Sequence, residues 1–346
     1  MAFGWYHTRR RWRFYCSVLL ILSVVVFFSL TIFIQHDMKD FENLGNFDSL
    51  QDIQEFINMV NSTYNAVRIQ ERITLEDGSH IVVADMLLDD SDPEHKNVNA
   101  LRVIETLEVE DGVHSAFRLI LPSELSKRNI DTSRWKVDHS YIQPNTYYHI
   151  CAETIFYSEA LRFSRDSEAN VLLLGLGGGI MDCFLHYHFP KINITVVEIS
   201  AQMVYVAYKW FNFEQDNYHH LVIADGVEFV KQQALKGVHY NAIILDACYS
   251  KSSHKILCPT DAFLKRSSIR YLSNLISDRG VIVINAVPGT ITASEECELL
   301  MESFSEFFHY CDTRNTTGEN EVVYCMHQPP VFQKHIDLLS VMKNSV

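Results

Sequence analysis

The sequence has no CxxC pair and no spaced set of cysteines and histidines, which argues against a structural zinc module, and no metal ligands are assigned. It also lacks internal repeats and low-complexity tracts, so neither a repeat array nor a disordered linker describes its bulk. Basic charge is scarce: beyond residue 34, 25 Lys and Arg face 43 Asp and Glu, a net of −18. A body so acidic repels a phosphate backbone, so nucleic acid is not an expected partner. Basic peptides or amines would be drawn to it, although acidity that serves only solubility reads equally well.

Of the eight cysteines, Cys16 lies in an apolar N-terminal segment. The seven that remain are an odd number, which speaks against a fully paired disulfide framework. Mostly buried free thiols are expected. Cys248–Cys258 and Cys311–Cys325 are the nearest candidates should one or two bridges form.

What is present starts with length: 346 residues, 47% hydrophobic, enough for one large domain or two modest ones. Residues 14–34 read FYCSVLLILSVVVFFSLTIFI, 21 residues without a charge, long enough to span a bilayer as a helix. Arg9, Arg10, Arg11 and Arg13 precede this run, and Asp37, Asp40 and Glu42 follow it. That asymmetry predicts a single-pass type II anchor, with a cytosolic basic tail (1–13) and the large domain in the lumen of the secretory pathway. A cleaved signal peptide is the competitor, but its apolar core is usually shorter. Sequons occur at Asn61, Asn193 and Asn315. Asn193 falls at a buried strand; Asn61 and Asn315 lie in polar stretches where a glycan fits.

Residues 35–64 read as a stalk ending in a helix over 47–60. Residues 65–144 hold two β-prone pairs, each around an Asp-Gly turn (Asp77-Gly78 and Asp111-Gly112), and predict a small β-hairpin subdomain. From 145 to 328 strands and helices alternate, as in a doubly wound parallel sheet. Apolar strands are expected at 171–175, 195–198, 221–224, 242–246 and 281–285, with helices near 179–188, 200–211, 226–235 and 260–276 between them. A polar turn at 315–319 then joins two strands into a closing antiparallel hairpin, and 329–346 form a tail.

The first of those strands breaks into Gly175-Leu-Gly-Gly-Gly179, and the second ends on Glu198-Ile199. Strand, glycine loop, helix, strand and acid together suit a nucleoside-bearing ligand, its ribose hydroxyls held by the carboxylate. Gly177 and Gly178 let the chain pass close to that ligand. The third strand ends on Asp225-Gly226, placed for an adenine amino group, with a helix cap as the plainer reading of Asp225. Asp246 ends the fourth and faces the reactive end, where it can orient an amine or take its proton. His139, Tyr141 and Tyr249 are candidates for the acceptor side, read first as packing residues. His186 and His188 read as helix-surface residues.

The motifs GLGGG, VVEIS, ADGVEFV and ILDAC resemble the spermidine synthase-like branch of the class I S-adenosylmethionine-dependent methyltransferases. Within it, VDHSY (137–141), HFP (188–190), KWFNF (209–213) and Cys258-Pro259 resemble the C-terminal domain of the methyltransferase-like enzymes that modify the N-terminus of elongation factor 1-alpha. The similarity covers roughly residues 65–328. It implies an α/β Rossmann-like sheet, S-adenosyl-L-methionine as cofactor, and methyl transfer to a protein or peptide amine. A catalytically silent binding module of the same fold is the alternative reading. Polyamine synthesis is disfavoured: the loop Asp246-Ala-Cys-Tyr249 lacks the second carboxylate of the polyamine enzymes, and YIQPNTYYH (141–149) has none. The anchor is a further departure from the elongation-factor enzymes. No oligomeric state follows from the sequence.

Overall fold

The computed structural model describes residues 50–64, 66–88, 99–107, 113–250, 253–331 and 336–340. The anchor at 14–34, its basic tail, Cys16 and the Asp111-Gly112 turn lie outside the described residues. Among the described residues no helix is long and apolar enough to cross a membrane. The chain divides into two compact units. One comprises Met1–Arg68, Met86–Asn99 and Leu121–Thr132; the other comprises Ile69–Asp85, Ala100–Ile120 and Ser133–Val346.

In the first unit, helix α1 (Leu50–Thr63) puts apolar residues at helical spacing and buries Phe56, Ile57 and Val60. The Ser62 and Thr63 hydroxyls donate back to the Met59 carbonyl and finish the helix. Arg68 then pairs with Asp131 at 3.0 Å and lies over the Tyr64 ring.

The strands β1 (Val67–Thr74), β2 (His80–Leu88), β3 (Asn99–Thr106) and β4 (Val113–Arg118) form a four-stranded sheet in that order. The β1–β2 turn closes through the Leu75 N–H donating to the Ser79 carbonyl, with Asp77 holding the Ser79 N–H. Within the second unit the Arg102 guanidinium is buried against Asp85 (2.7 and 2.9 Å) and donates to the Trp210 carbonyl at 2.8 Å. One ion pair thus ties β2 and β3 to the end of the helix that carries Trp210.

The larger sheet follows helix α2 (Tyr147–Tyr157). Its strands are β5 (Ala169–Leu174), β6 (Ile192–Glu198), β7 (His219–Ile223), β8 (Tyr240–Leu245), β9 (Ile256–Cys258), β10 (Ile276–Pro288), β11 (Tyr310–Asn315) and β12 (Glu321–Met326). Their order is β11-β12-β10-β8-β5-β6-β7, with β9 added on β10. The strands β7, β6, β5, β8 and β10 run parallel, and β12 is antiparallel to both its neighbours. β5 and β8 lie at the centre, so Val171–Leu174 and Ala242–Leu245 are buried on both faces, as unbroken apolar runs require.

Helices α3 (Ile180–His188), α4 (Ala201–Trp210), α5 (Gly226–Leu235), α6 (Asp261–Leu264), α7 (Arg266–Leu275) and α8 (Ala293–Ser305) connect the strands. Ser200 caps α4, Asp225 caps α5, and Thr292 with Glu295 forms a capping box on α8. The single helix expected over 260–276 is two: Lys265 takes extended backbone, and the Ser268 hydroxyl donates to the Ala262 carbonyl across the break. The expectation of mostly free thiols is also corrected. Cys248–Cys258 and Cys311–Cys325 are disulfides, the latter between directly opposed residues of β11 and β12, while Cys151, Cys183 and Cys297 are buried thiols.

Candidate active site

Successive connections leave β5 toward β6 and β7 on one side and toward β8 and β10 on the other. The crevice at the carboxyl ends of β5 and β8 is therefore where a ligand fits. The glycine loop sits at its floor. Gly175 has φ +105°, and a Cβ there would lie 2.2 Å from the Asp246 carbonyl oxygen. Only glycine lets β5 turn out of the sheet so close to β8. Gly178 is pressed against Phe117, and its N–H donates to the Ser115 hydroxyl at 3.0 Å. Gly177 and Gly179 also have positive φ, and Gly179 opens α3.

Glu198 is buried at the end of β6 and faces this loop. One carboxylate oxygen accepts the Leu176 N–H at 2.9 Å, the other the Ser200 N–H at 2.8 Å. Burial raises its pKa against the backbone hydrogen bonds from Ser200, Leu176 and Ile199. Each oxygen retains a lone pair for a ligand hydroxyl. Ile199 is 68% exposed and Ile223, at the end of the adjacent β7, is 56% exposed. Two large apolar side chains left open at neighbouring strand ends form a surface that a flat base would cover. Asp225 follows Ile223; its Oδ1 accepts the Val227 and Glu228 N–H groups, so the cap reading holds for that oxygen. At Gly226 the space of a Cβ is taken by the Phe263 ring, 2.9 Å away.

Asp246 stands at the end of β8, across the loop from Glu198. Asn285 on β10 donates its amide to Asp246 Oδ1 at 2.7 Å, and the Tyr147 hydroxyl lies 3.5 Å from Oδ2. The two sulfurs of the Cys248–Cys258 bridge are 3.5 and 3.7 Å from Oδ1. Burial pushes the Asp246 carboxyl up to about 7, only partly offset by the Asn285 and Tyr147 bonds. Burial and this neighbour raise the Tyr147 hydroxyl well above its usual range, so it stays a donor. A cavity of about 190 Å³ opens beside Tyr147, lined also by Gln143, Tyr148, Ile180, Thr317 and Asn320. No charged side chain is among its lining residues.

The other acceptor-side candidates are engaged elsewhere. His139 Nε2 meets the Phe211 carbonyl, Tyr141 carries the Arg118 guanidinium on its ring, and Tyr249 stacks on His254. His188 is buried, with Nε2 against the Ser140 carbonyl, a correction to its reading as a surface residue; His186 is half-buried beside Asp216. Tyr147, Ile223, Asn285 and Asn320 went unassigned from sequence. Asn285 carried a signal: it is the polar residue that interrupts the apolar run VIVINAV at a strand end.

A parallel sheet closed by an inserted antiparallel strand, with glycine loop and acids on consecutive strand ends, is the Rossmann-like fold of class I methyltransferases. No family model matches the chain. The chain is 30% identical over 192 residues to the eEF1A lysine and N-terminal methyltransferase homolog of Drosophila melanogaster, covering 56% of this chain and 28% of that protein. It is 30% identical over 163 residues to the human eEF1A lysine and N-terminal methyltransferase, covering 46% of this chain and 23% of that protein. The chain therefore spans about a quarter of the length of these curated relatives. Among solved structures, a probable spermidine synthase from Corynebacterium glutamicum superposes with a TM-score of 0.50 at 13% identity. That match covers 80% of this chain and 84% of the synthase, and it carries the fold alone.

Proposed function

We propose that the chain is an S-adenosylmethionine-dependent methyltransferase acting on an amine of a protein or peptide. The observation that carries this reading is Asp246: a half-buried carboxylate beside the glycine loop, 3.5 Å from the hydroxyl of Tyr147, which itself lines a cavity with no charged side chain among its lining residues. Glu198 offers its remaining lone pairs to ribose hydroxyls, and Ile199 and Ile223 supply apolar walls for the adenine. The second oxygen of Asp225 is the acceptor for the adenine amino group. Bound there, S-adenosylmethionine would supply an electrophilic methyl carbon, to which an uncharged amine would bond in line as the carbon–sulfur bond breaks and the thioether leaves. Asp246 orients that amine and takes its proton as the nitrogen–carbon bond forms. Tyr147 and Tyr148 exclude water from the same space. A di- or polyamine finds no carboxylate among the cavity's lining residues, which weighs against aminopropyl transfer.

Calorimetry with S-adenosylmethionine and with its decarboxylated form tests the reading. Binding of the first with transfer of label to a protein amine supports it; preference for the second, or no binding of either, refutes it. The eEF1A N-terminus and its lysines are the acceptors that the relatives' names suggest for a first assay.

We further propose that residues 14–34 anchor the chain, with the domain on the side away from the cytosol. The charge asymmetry around the segment supports this, and so do two disulfides, which persist in oxidising compartments. Asn315 is exposed at the end of β11, whereas the Asn193 amide donates to Asn170. Glycosidase sensitivity lost in Asn315→Gln, or protection of the domain from protease in sealed microsomes, is the expected result. A fully protease-accessible, unglycosylated domain would place it in the cytosol instead.

A further inference from the structure

We infer that Asn285 and Asn320 form a directional amide chain that fixes Asp246 and leaves Oδ2 as the oxygen that receives the acceptor's proton. The inference deepens the proposed function and rests on it for the word acceptor; the chain itself is a matter of geometry. Asn285 is 2% exposed and donates Nδ2–H to Asp246 Oδ1 at 2.7 Å. Its own carbonyl oxygen accepts Nδ2–H of Asn320 at 2.9 Å. Both amides are therefore oriented by what they face, a carboxylate at one end and a donor at the other.

Asn320 is held from the far side, since the Thr316 hydroxyl donates to its main-chain carbonyl. It also lines the cavity beside Tyr147. The closing hairpin thus does more than complete the sheet: its turn supplies the outer link, and Cys311–Cys325 ties its two strands together.

The two oxygens of Asp246 are consequently unlike. Oδ1 is taken by Asn285 and flanked by the bridge sulfurs. Among the described residues Oδ2 has only the long contact to Tyr147, a residue that lines the cavity. The other titratable groups facing Asp246 are Tyr147, Tyr148 and Cys151 on α2 and Glu198 at the end of β6. All are neutral or negative when they titrate, so the ionised carboxylate is stabilised by hydrogen bonds alone, the short one from Asn285 and the long one from Tyr147. Asn285 and Asn320 are positioning residues in this scheme, acting through Asp246.

The test follows the titration of Asp246 itself by ¹³C-aspartate NMR of the full chain, assigned by Asp246→Asn, and so needs no turnover. Asn285→Leu should raise the midpoint by about one to two units, the worth of one hydrogen bond to a carboxylate. Asn320→Ala should shift it less. Asn320→Asp should shift it more, because the new carboxylate turns the Asn285 amide around and aims its carbonyl at Asp246. The pH profile of methyl transfer should move in the same order, with cofactor affinity unchanged. An unchanged Asp246 midpoint in folded Asn285→Leu, or Asn320→Asp behaving as Asn320→Ala, overturns the chain. Midpoints that shift in a protein that transfers no methyl group would leave the chain standing and remove the enzymatic reading.

Discussion

Glu296 on α8 is fully buried, and neither carboxylate oxygen makes a hydrogen bond of normal geometry. Burial pushes it up to about 8, with the Val287 N–H giving partial relief. An acid whose folded pKa lies above its unfolded value weakens the fold as pH rises. Below about pH 4.5 it is protonated in both states and neutral in effect. Between there and about 8 the unfolded chain releases a proton that the folded chain retains, at about 1.4 kcal/mol per pH unit. At pH 7 the penalty is on the order of 3 kcal/mol, a sizeable part of the stability of an ordinary domain.

Glu296→Gln keeps the shape and removes the charge. It should unfold at nearly the same urea concentration as the parent at pH 4.5 and at a clearly higher one at pH 7, the gap widening steadily between. Urea titrations of both proteins across that range measure it directly. A gap that does not vary with pH, or a parent more stable than the variant at pH 7, would show that Glu296 finds a partner or water and is not stranded.

Other perturbations have equally definite outcomes. Glu198→Ala should weaken S-adenosylmethionine binding by roughly 1–3 kcal/mol, the value of a lost buried hydrogen-bond partner, read by calorimetry. Arg102→Met leaves the buried Asp85 without its counter-charge and should destabilise by about 3–5 kcal/mol; adding Asp85→Leu should recover much of this, and failure to recover would mean the pair is not the unit that matters. Replacing Cys311 and Cys325 together by alanine opens a loop with a sequence separation of 14 and should cost about 3 kcal/mol in urea titrations under non-reducing conditions.

The large sheet was legible because its signals are local. Val171–Leu174 and Ala242–Leu245 are buried on both faces, so every residue had to be apolar, and each run stops where a glycine or acid must face the crevice. The strand ends carrying Gly175 and Asp246 follow from that rule, while Glu198 and Asp225 were read from the acids that close the less buried runs of β6 and β7. The break at Lys265 was not legible, because it depends on a hydroxyl–carbonyl bond between residues whose sequence reads as continuous helix. Proximity in sequence named the two disulfide pairs, but an odd cysteine count could not say that they form: for Cys311–Cys325 that is decided by the register that sets the two residues opposite one another.

The amide chain behind Asp246 marks where sequence reading stops. Asn285 and Asn320 are 35 positions apart, the first on β10 and the second in the turn just before β12, its antiparallel neighbour. Asn285 stands out locally as the polar interruption of an apolar run, but nothing local ties it to Asn320, a turn asparagine like any other. Their meaning comes from Asn285 pairing opposite Val322, which sets Asn320 just beyond the end of that ladder and within reach of the amide. A carboxylate can be read as catalytic from its place at a strand end. What holds it, and which of its oxygens is left for chemistry, is decided by the register of a neighbouring strand.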